Sequence, residues 1–390
     1  LNPEVVQLRN RVMAVAMVLV AVAGIGLATL LAWHQRDAFL AGQGALLTDS
    51  VHLSGARIRQ AIRGLRENTL FLAHTPPVQG IVRASGNSGF DARDGNTIGT
   101  WQRRLQEIFA AFIQAHPDYF AIRYIGLADG GRELVLSERI DTRVESAAPE
   151  RLAQMADQAF FRQASQLQPG AVYLSEVGGL ESEAPRNLLP ARVLRAATPV
   201  FGADGRLFGV LSVSFDASQL LQGLNQGLPT FVRLALADME GRYLLPPDPE
   251  RQPGRAGAAE ARLEQDFPGL LGMTPPAASL MPIRAGGETQ HVALERIFFD
   301  PDRPERHLIL LCTLAESEVY RQIGPAIQDA AIAAGGTALL SVALILAVLA
   351  RLFAPLHRMT AVAAAIAEGN YATPVPAARS GGIGALAQAL

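Results

Sequence analysis

The sequence predicts an α+β protein in which two tandem modules with antiparallel sheets stand on a long N-terminal helix, between two transmembrane helices and ahead of a further helical segment. Three observations predict it. Two uncharged apolar runs lie nearly 300 residues apart, the hydrophobic period between them changes from helical spacing to strand alternation, and a strand–turn pattern recurs about 110 residues along the chain.

Composition sets the frame. Of 390 residues, 49% are apolar and 18% charged, where about a quarter of an ordinary soluble domain is charged. The net charge of -2 offers no broad basic field, so nucleic acid is not an expected partner. The single cysteine, Cys312, excludes a disulfide scaffold and a multi-thiolate zinc site. All positive side chains are arginine, which removes Schiff-base and P-loop lysine chemistry. The chain has no nucleotide-binding glycine loop, no HExxH and no GxSxG, so neither catalysis nor a cofactor is expected.

Residues 1–11 form a short tail carrying Arg9 and Arg11. Val12–Trp33 follows, 22 residues without a charge. At about 1.5 Å per residue it spans about 33 Å, against a hydrocarbon core of about 30 Å. The run exceeds the 7–15 apolar residues usual in a signal peptide, the alternative assignment for this end. Residues 330–350 are similarly uncharged and form the second span. Arg9 and Arg11 before the first span, with Arg351 and Arg358 after the second, put both ends in the cytoplasm and 34–329 outside the inner membrane, although Arg36 and Arg321 reduce the bias.

Residues 34–99 read as a stalk helix and a loop. Leu40, Leu47, Ile58, Ile62, Leu65 and Leu72 recur at helical spacing until Pro76-Pro77, and Ser85–Asn96 is polar and glycine-rich. Residues 100–222 form a membrane-distal module. It has a helix over Trp101–Ala115 with Trp101 in the core, a hairpin of Phe120–Ala128 and Glu133–Glu138, a helix over Pro149–Gln166, and strands at Ala171–Ser175, Val193–Val200 and Leu207–Phe215. Residues 223–325 form a smaller proximal module. Leu127-Ala128-Asp129 and Gly131-Arg132 recur as Leu236-Ala237-Asp238 and Gly241-Arg242, offset by 109 and 110 residues. This module closes with strands at His291–Phe299 and His307–Leu314, and a loop occupies about 246–287.

In this order, with PDYFAIRYIGLADGGREL (117–134) and VLRAATPVFGADGRLFGVLSVSFD (193–216) between two spans, the chain resembles the double-Cache sensory family. These are tandem PAS-like modules of bacterial transmembrane receptors. The resemblance implies a small-molecule ligand in the distal module, transmission through the proximal one, membrane lipid around the spans, and a homodimer. Residues 351–390 look like a partial HAMP relay. Pro355-Leu356-His357-Arg358-Met359 opens it, and Leu356, Met359, Ala363 and Ile366 follow a 3, 4, 3 seam. Ile383, Leu386 and Leu390 resume the rhythm, but Gly381 and Gly382 stand where such units usually carry Asp-Glu. A longer receptor is expected, its output a histidine kinase by family frequency. A diguanylate cyclase, a chemoreceptor rod, or a binding protein without signalling are the alternatives.

Arg123 and Arg195 fall on strands among apolar neighbours, where a charge needs a partner. One reading makes them an anion clamp for a small organic acid, with Tyr124, Phe161 and Tyr173 completing the ligand site. The other pairs them structurally with Glu138, Glu176 or Asp216, or lets an arginine snorkel to solvent. In the amino-acid-sensing branch of the family, an arginine on the distal helix grips the carboxylate and an aspartate takes the ammonium. Alignment puts Gln158 and Ser214 at those positions, which argues against an amino-acid ligand.

Overall fold

The computed structural model describes residues 3–178, 192–248, 262–273, 280–301 and 303–367. Gln43–Glu316 form one compact unit, and the apolar helical segments on either side of it in sequence belong to a second.

Helix α1 runs unbroken over Pro3–Ala73. Its most apolar window has no buried residue, and Val15, Leu19, Ile25 and Leu30 are each at least 60% exposed. Helix α8 (Glu316–Ala367) has the same character, with Ile332, Leu339, Leu340 and Leu344 all exposed. Core helices of soluble proteins bury such residues, so these two are candidate membrane spans by length, composition and exposure. A Cβ placed on Gly24 would meet that of Ala338 at 3.8 Å, so small side chains let the two apolar segments approach.

Beyond Gly42 the α1 pattern becomes amphipathic: Leu47, Val51, Ile58, Ile62, Leu65 and Leu72 are buried. Pro76-Pro77 ends one helix and opens another. Proline is tolerated at the first helical positions because the missing N–H would have no partner there, so α2 (Pro76–Ser85) starts at once. The expected loop over Ser85–Asn96 contains a two-residue pair, β1 (Phe90–Asp91) and β2 (Asn96–Thr97). Helix α3 (Ile98–Ala115) is capped by the Thr97 side chain. Trp101 is buried and donates from Nε1 to Asp91 at 3.1 Å, while Arg83 grips the same carboxylate through Nε and Nη2. Arg83 therefore holds the Asp91 carboxyl down at about 2.

The first large sheet contains β3 (Tyr119–Gly126), β4 (Glu133–Ile140), β5 (Arg143–Ser146), β6 (Tyr173–Leu174), β7 (Val193–Phe201) and β8 (Leu207–Asp216). A short turn, α4 (Ala128–Gly131), joins β3 to β4, with Gly130 and Gly131 both at φ +71. All pairings are antiparallel and the spatial order is β5-β4-β3-β8-β7-β6. The sheet thus has six strands rather than the expected five, because β5 hairpins back onto β4. Gly209 is required here: a Cβ would lie 2.1 Å from the Ile125 carbonyl oxygen.

The helix expected over Pro149–Gln166 is not continuous. Pro149–Arg151 is a single 3₁₀ turn, and only Ala159–Ala164 is helical (α5). Between them the backbone is taken by the sheet edge, with Met155 and Ala156 N–H groups donating to Gly131 and Gly130 carbonyls and Ala153 N–H donating to Glu133. These tertiary bonds outweigh the helical pattern.

After α6 (Ala217–Leu224), the second sheet contains β9 (Arg233–Ala237), β10 (Tyr243–Leu245), β11 (Met281–Ala285), β12 (Glu288–Phe298) and β13 (His307–Ala315). The short α7 (Leu263–Asp266) packs over it, with Leu263 in the cluster of Ala235, Val292, Leu294 and Leu311. The order is β10-β9-β13-β12-β11. Numbered within each module, both sheets read 2-1-5-4-3, with β5 appended to the first. The sequence repeat at 127–132 and 236–242 sits at the end of the corresponding first strands of the two modules, β3 and β9.

Candidate functional site

Register determines which side chains share a face. Arg195 pairs with Ser214, and Ser214 with Ala121; Ala197 pairs with Ser212, and Ser212 with Arg123. Paired residues project to one side and alternate residues return to it. Arg123, Ile125, Arg195, Ala197, Val210, Ser212 and Ser214 therefore line one face, joined at its edge by Tyr173, which pairs with Ala197. Met155, Phe160, Phe161 and Ala164 cover this face and pack with Ile125, Ala197 and Val210, with half-buried Tyr173 against them.

Two guanidinium groups sit in this apolar setting. Arg123 is buried and its Nε donates to Glu133 Oε1 at 2.9 Å. Glu133, only 1% exposed, also accepts the Ala153 N–H at 2.9 Å. The expected partner acids were Glu138, Glu176 and Asp216; the observed one is the first residue of β4, brought beside Arg123 by the irregular register after Tyr124. Arg195 is 8% exposed, lies 4.2 Å over the Phe160 ring, and donates from Nε to Ser214 Oγ at 3.4 Å.

Four of the five sequence-nominated residues, Arg123, Phe161, Tyr173 and Arg195, meet on this face. Tyr124 does not. As the next residue along β3 it projects to the opposite side, where it is fully buried and contacts Phe208 with ring centroids 6.0 Å apart. Burial pushes its phenol well above the ordinary value, and its hydroxyl has no hydrogen-bond partner among the described residues. Burial also raises the Tyr173 phenol, against the pull of Arg306, Arg303 and Arg195.

Glu133, Phe160, Ser212 and Met155 were not singled out from sequence. Ser212 and Ser214 alternate with Leu211 and Val213 on β8, a polar stripe on one side of a buried strand that is readable from the sequence. Ser212 Oγ is buried without a hydrogen-bond partner among the described residues.

The face is tied to the second sheet. Arg306 donates to the Leu174 carbonyl at 2.7 Å and to Asp300 Oδ2 at 3.0 Å, and Arg242 reaches Glu176 at 3.1 Å. Asp300 is buried and also faces Arg66 of α1 at 4.0 Å. No group of histidine, cysteine and carboxylate side chains suited to a metal ion occurs among the described residues.

Residues 348–390 match the family model of the HAMP domain. No curated protein matches the sequence. The fold is similar to the extracellular domain of a candidate histidine kinase, at a TM-score of 0.55 and 15% identity, covering 72% of this chain and 98% of that one. It is similar to a domain of a sensory box/GGDEF family protein from Vibrio parahaemolyticus, at 0.52 and 16%, covering 70% and 96%. It is also similar to the ligand-binding domain of the Campylobacter jejuni chemoreceptor Tlp3 in complex with L-valine, at 0.50 and 12%, covering 73% and 98%. At these identities the likeness is one of fold. An extracellular-sensor fold flanked by two candidate spans and followed by a HAMP match defines a transmembrane sensor. The HAMP match starts within α8, whose backbone is described to Ala367 and carries Leu356, Met359, Ala363 and Ile366; Gly381, Gly382, Ile383, Leu386 and Leu390 lie outside the described residues.

Proposed function

We propose that this chain is an inner-membrane receptor whose distal module binds a small organic acid and relays occupancy through its spans and HAMP segment to a histidine-kinase output. The receptor acts as a homodimer embedded in lipid. The observation that carries the relay is covalent: β13, at the centre of the second sheet, ends at Ala315, and α8 begins at Glu316 with no residue between. A shift of that strand pulls directly on the helix that carries the second span into the HAMP match.

The distal face supplies the binding chemistry. Arg195 offers a guanidinium for a carboxylate, Ser212 Oγ a buried donor, Tyr173 a phenol at the rim, and Phe161 an apolar wall. Arg123 supports the floor through Glu133. The Tlp3 domain was solved with an amino acid; here uncharged Gln158 stands at the N-terminus of α5 and Ser214 across from Arg195, so neither residue supplies the charges an amino acid's two ends require. Binding drives signalling only through unequal affinity for two packings of the dimer.

The test is a thermal-shift screen of the full chain in phosphatidylcholine nanodiscs against small mono- and dicarboxylates, amines and nucleobases. A carboxylate that raises Tm in the parent and fails to do so in Arg195→Ala supports the proposal. A Tm rise confined to amines or nucleobases, or one that survives Arg195→Ala and Ser212→Ala, overturns it.

A further inference from the structure

A second cleft lies away from the distal face. Arg59, Arg63 and Arg66 are spaced 4 and 3 residues apart on α1, one helical stripe, and together with Ile62 they face Phe298, Phe299 and Pro301 at the end of β12. The cleft is open to solvent on one side and has a volume of about 290 Å³, at the lower edge of the ordinary range for a small-ligand site. No carboxylate is among the described residues that line it. Two described acids on the adjoining segments carry ion pairs: Glu295 with Arg59 and His52, and Asp300 with Arg306 and Arg66. Arg63 is exposed and makes no ion pair or hydrogen bond among the described residues. Phe298 is 59% exposed beside it.

From this we infer a second ligand site on the receptor, for a planar organic anion. The ring of the ligand stacks on exposed Phe298, beside Phe299, whose ring carries the Arg306 guanidinium 5.0 Å from its centroid, and its carboxylate or other oxyanion takes the fork of Arg63 with support from Arg66. A bare inorganic anion uses the arginines but not the rings, and an uncharged aromatic the reverse, so the site selects for both features at once. It is built from the stalk helix and the proximal sheet, so occupancy there biases the same elements that the distal ligand acts through, independently of Arg195.

The experiment uses the full chain in phosphatidylcholine nanodiscs and 2,6-naphthalenedicarboxylate, a fluorescent planar dianion, titrated by anisotropy. Saturable binding is expected, weakened at least tenfold in Arg63→Gln and in Phe298→Ala, reduced by added salt, and unchanged in Arg195→Ala. Arg63 and Phe298 are exposed, so both variants should keep the parent Tm. Absence of saturable binding, binding unaffected by both cleft substitutions, or binding lost only in Arg195→Ala overturns the inference. Loss in Arg195→Ala alone would place the probe on the distal face and leave the primary proposal standing.

Discussion

The Arg306 guanidinium donates to the backbone carbonyl of Leu174 at 2.7 Å. Leu174 follows Tyr173 on β6, at the rim of the candidate ligand face, whereas Arg306 immediately precedes β13, which leads into α8. One side chain thus joins the candidate ligand face to the strand that precedes the second span. Asp300, 5% exposed, holds that arginine in place at 3.0 Å.

Arg306→Ala removes this tie and takes from the buried Asp300 carboxylate its cation at 3.0 Å, while Arg66 stands at 4.0 Å. Breaking a buried pair from one side costs about 3–5 kcal/mol. A large fall in Tm is expected. Arg306→Ala combined with Asp300→Asn should recover much of it, because the stranded charge is gone. Thermal unfolding of the four members of this cycle checks the prediction. A fall no larger than that of an exposed arginine would show that the tie carries little.

The Arg123–Glu133 pair separates structural from binding roles. Arg123→Ala leaves a carboxylate that is 1% exposed without its cation, and a loss of about 3–5 kcal/mol is expected. Replacing both, as Arg123→Met with Glu133→Leu, should be roughly neutral for stability. Carboxylate binding in that double variant, measured by titration, should weaken less than in Arg195→Ala.

Asp91 gives a pH signature. Its carboxyl is held at about 2, below the ordinary 3.8, chiefly by Arg83. A depressed folded-state value means that its stabilisation is complete above about pH 4 and is lost as pH falls through 2. Trp101 donates to this carboxylate, so its fluorescence in a Trp33→Phe background should report the transition. Asp91→Asn should flatten the stability profile between pH 4 and 2. An unchanged profile would contradict the assignment.

Cys312 is fully buried on β13, and burial pushes its thiol up to about 12. Maleimide should not modify it at pH 7.5 in the folded receptor, and modification should appear together with global unfolding. Prompt labelling under native conditions would mean that the second sheet opens locally.

Much of this architecture is legible in the sequence because its determinants are local. The runs at Val12 and Ala330, and the alternation of Val193–Phe201 and Leu207–Asp216, need no distant partner to be read. Failures occur where a tertiary partner decides. Residues 152–158 have helical spacing but lie against Gly130, Gly131 and Glu133. β10 and β11 are short, and Pro282 within β11 masks the strand pattern. At the candidate site, Arg123 and Arg195 are visible as charges among apolar residues, but Glu133 becomes a partner only through an irregular register. Tyr124 projects away from the face that holds Arg123, a separation that strand alternation makes readable in the sequence.

Membrane topology is the claim on which the account most depends, and site-specific cysteine labelling in intact spheroplasts tests it most directly. The buried native Cys312 contributes no background, so introduced cysteines report alone. Asp204→Cys, on the exposed turn between β7 and β8, should react with a membrane-impermeant maleimide from outside. Arg358→Cys, in the HAMP match, should react only after permeabilisation. Shielding of position 204 until permeabilisation, or labelling of position 358 from outside, would contradict a sensor module and a relay on opposite sides of the membrane.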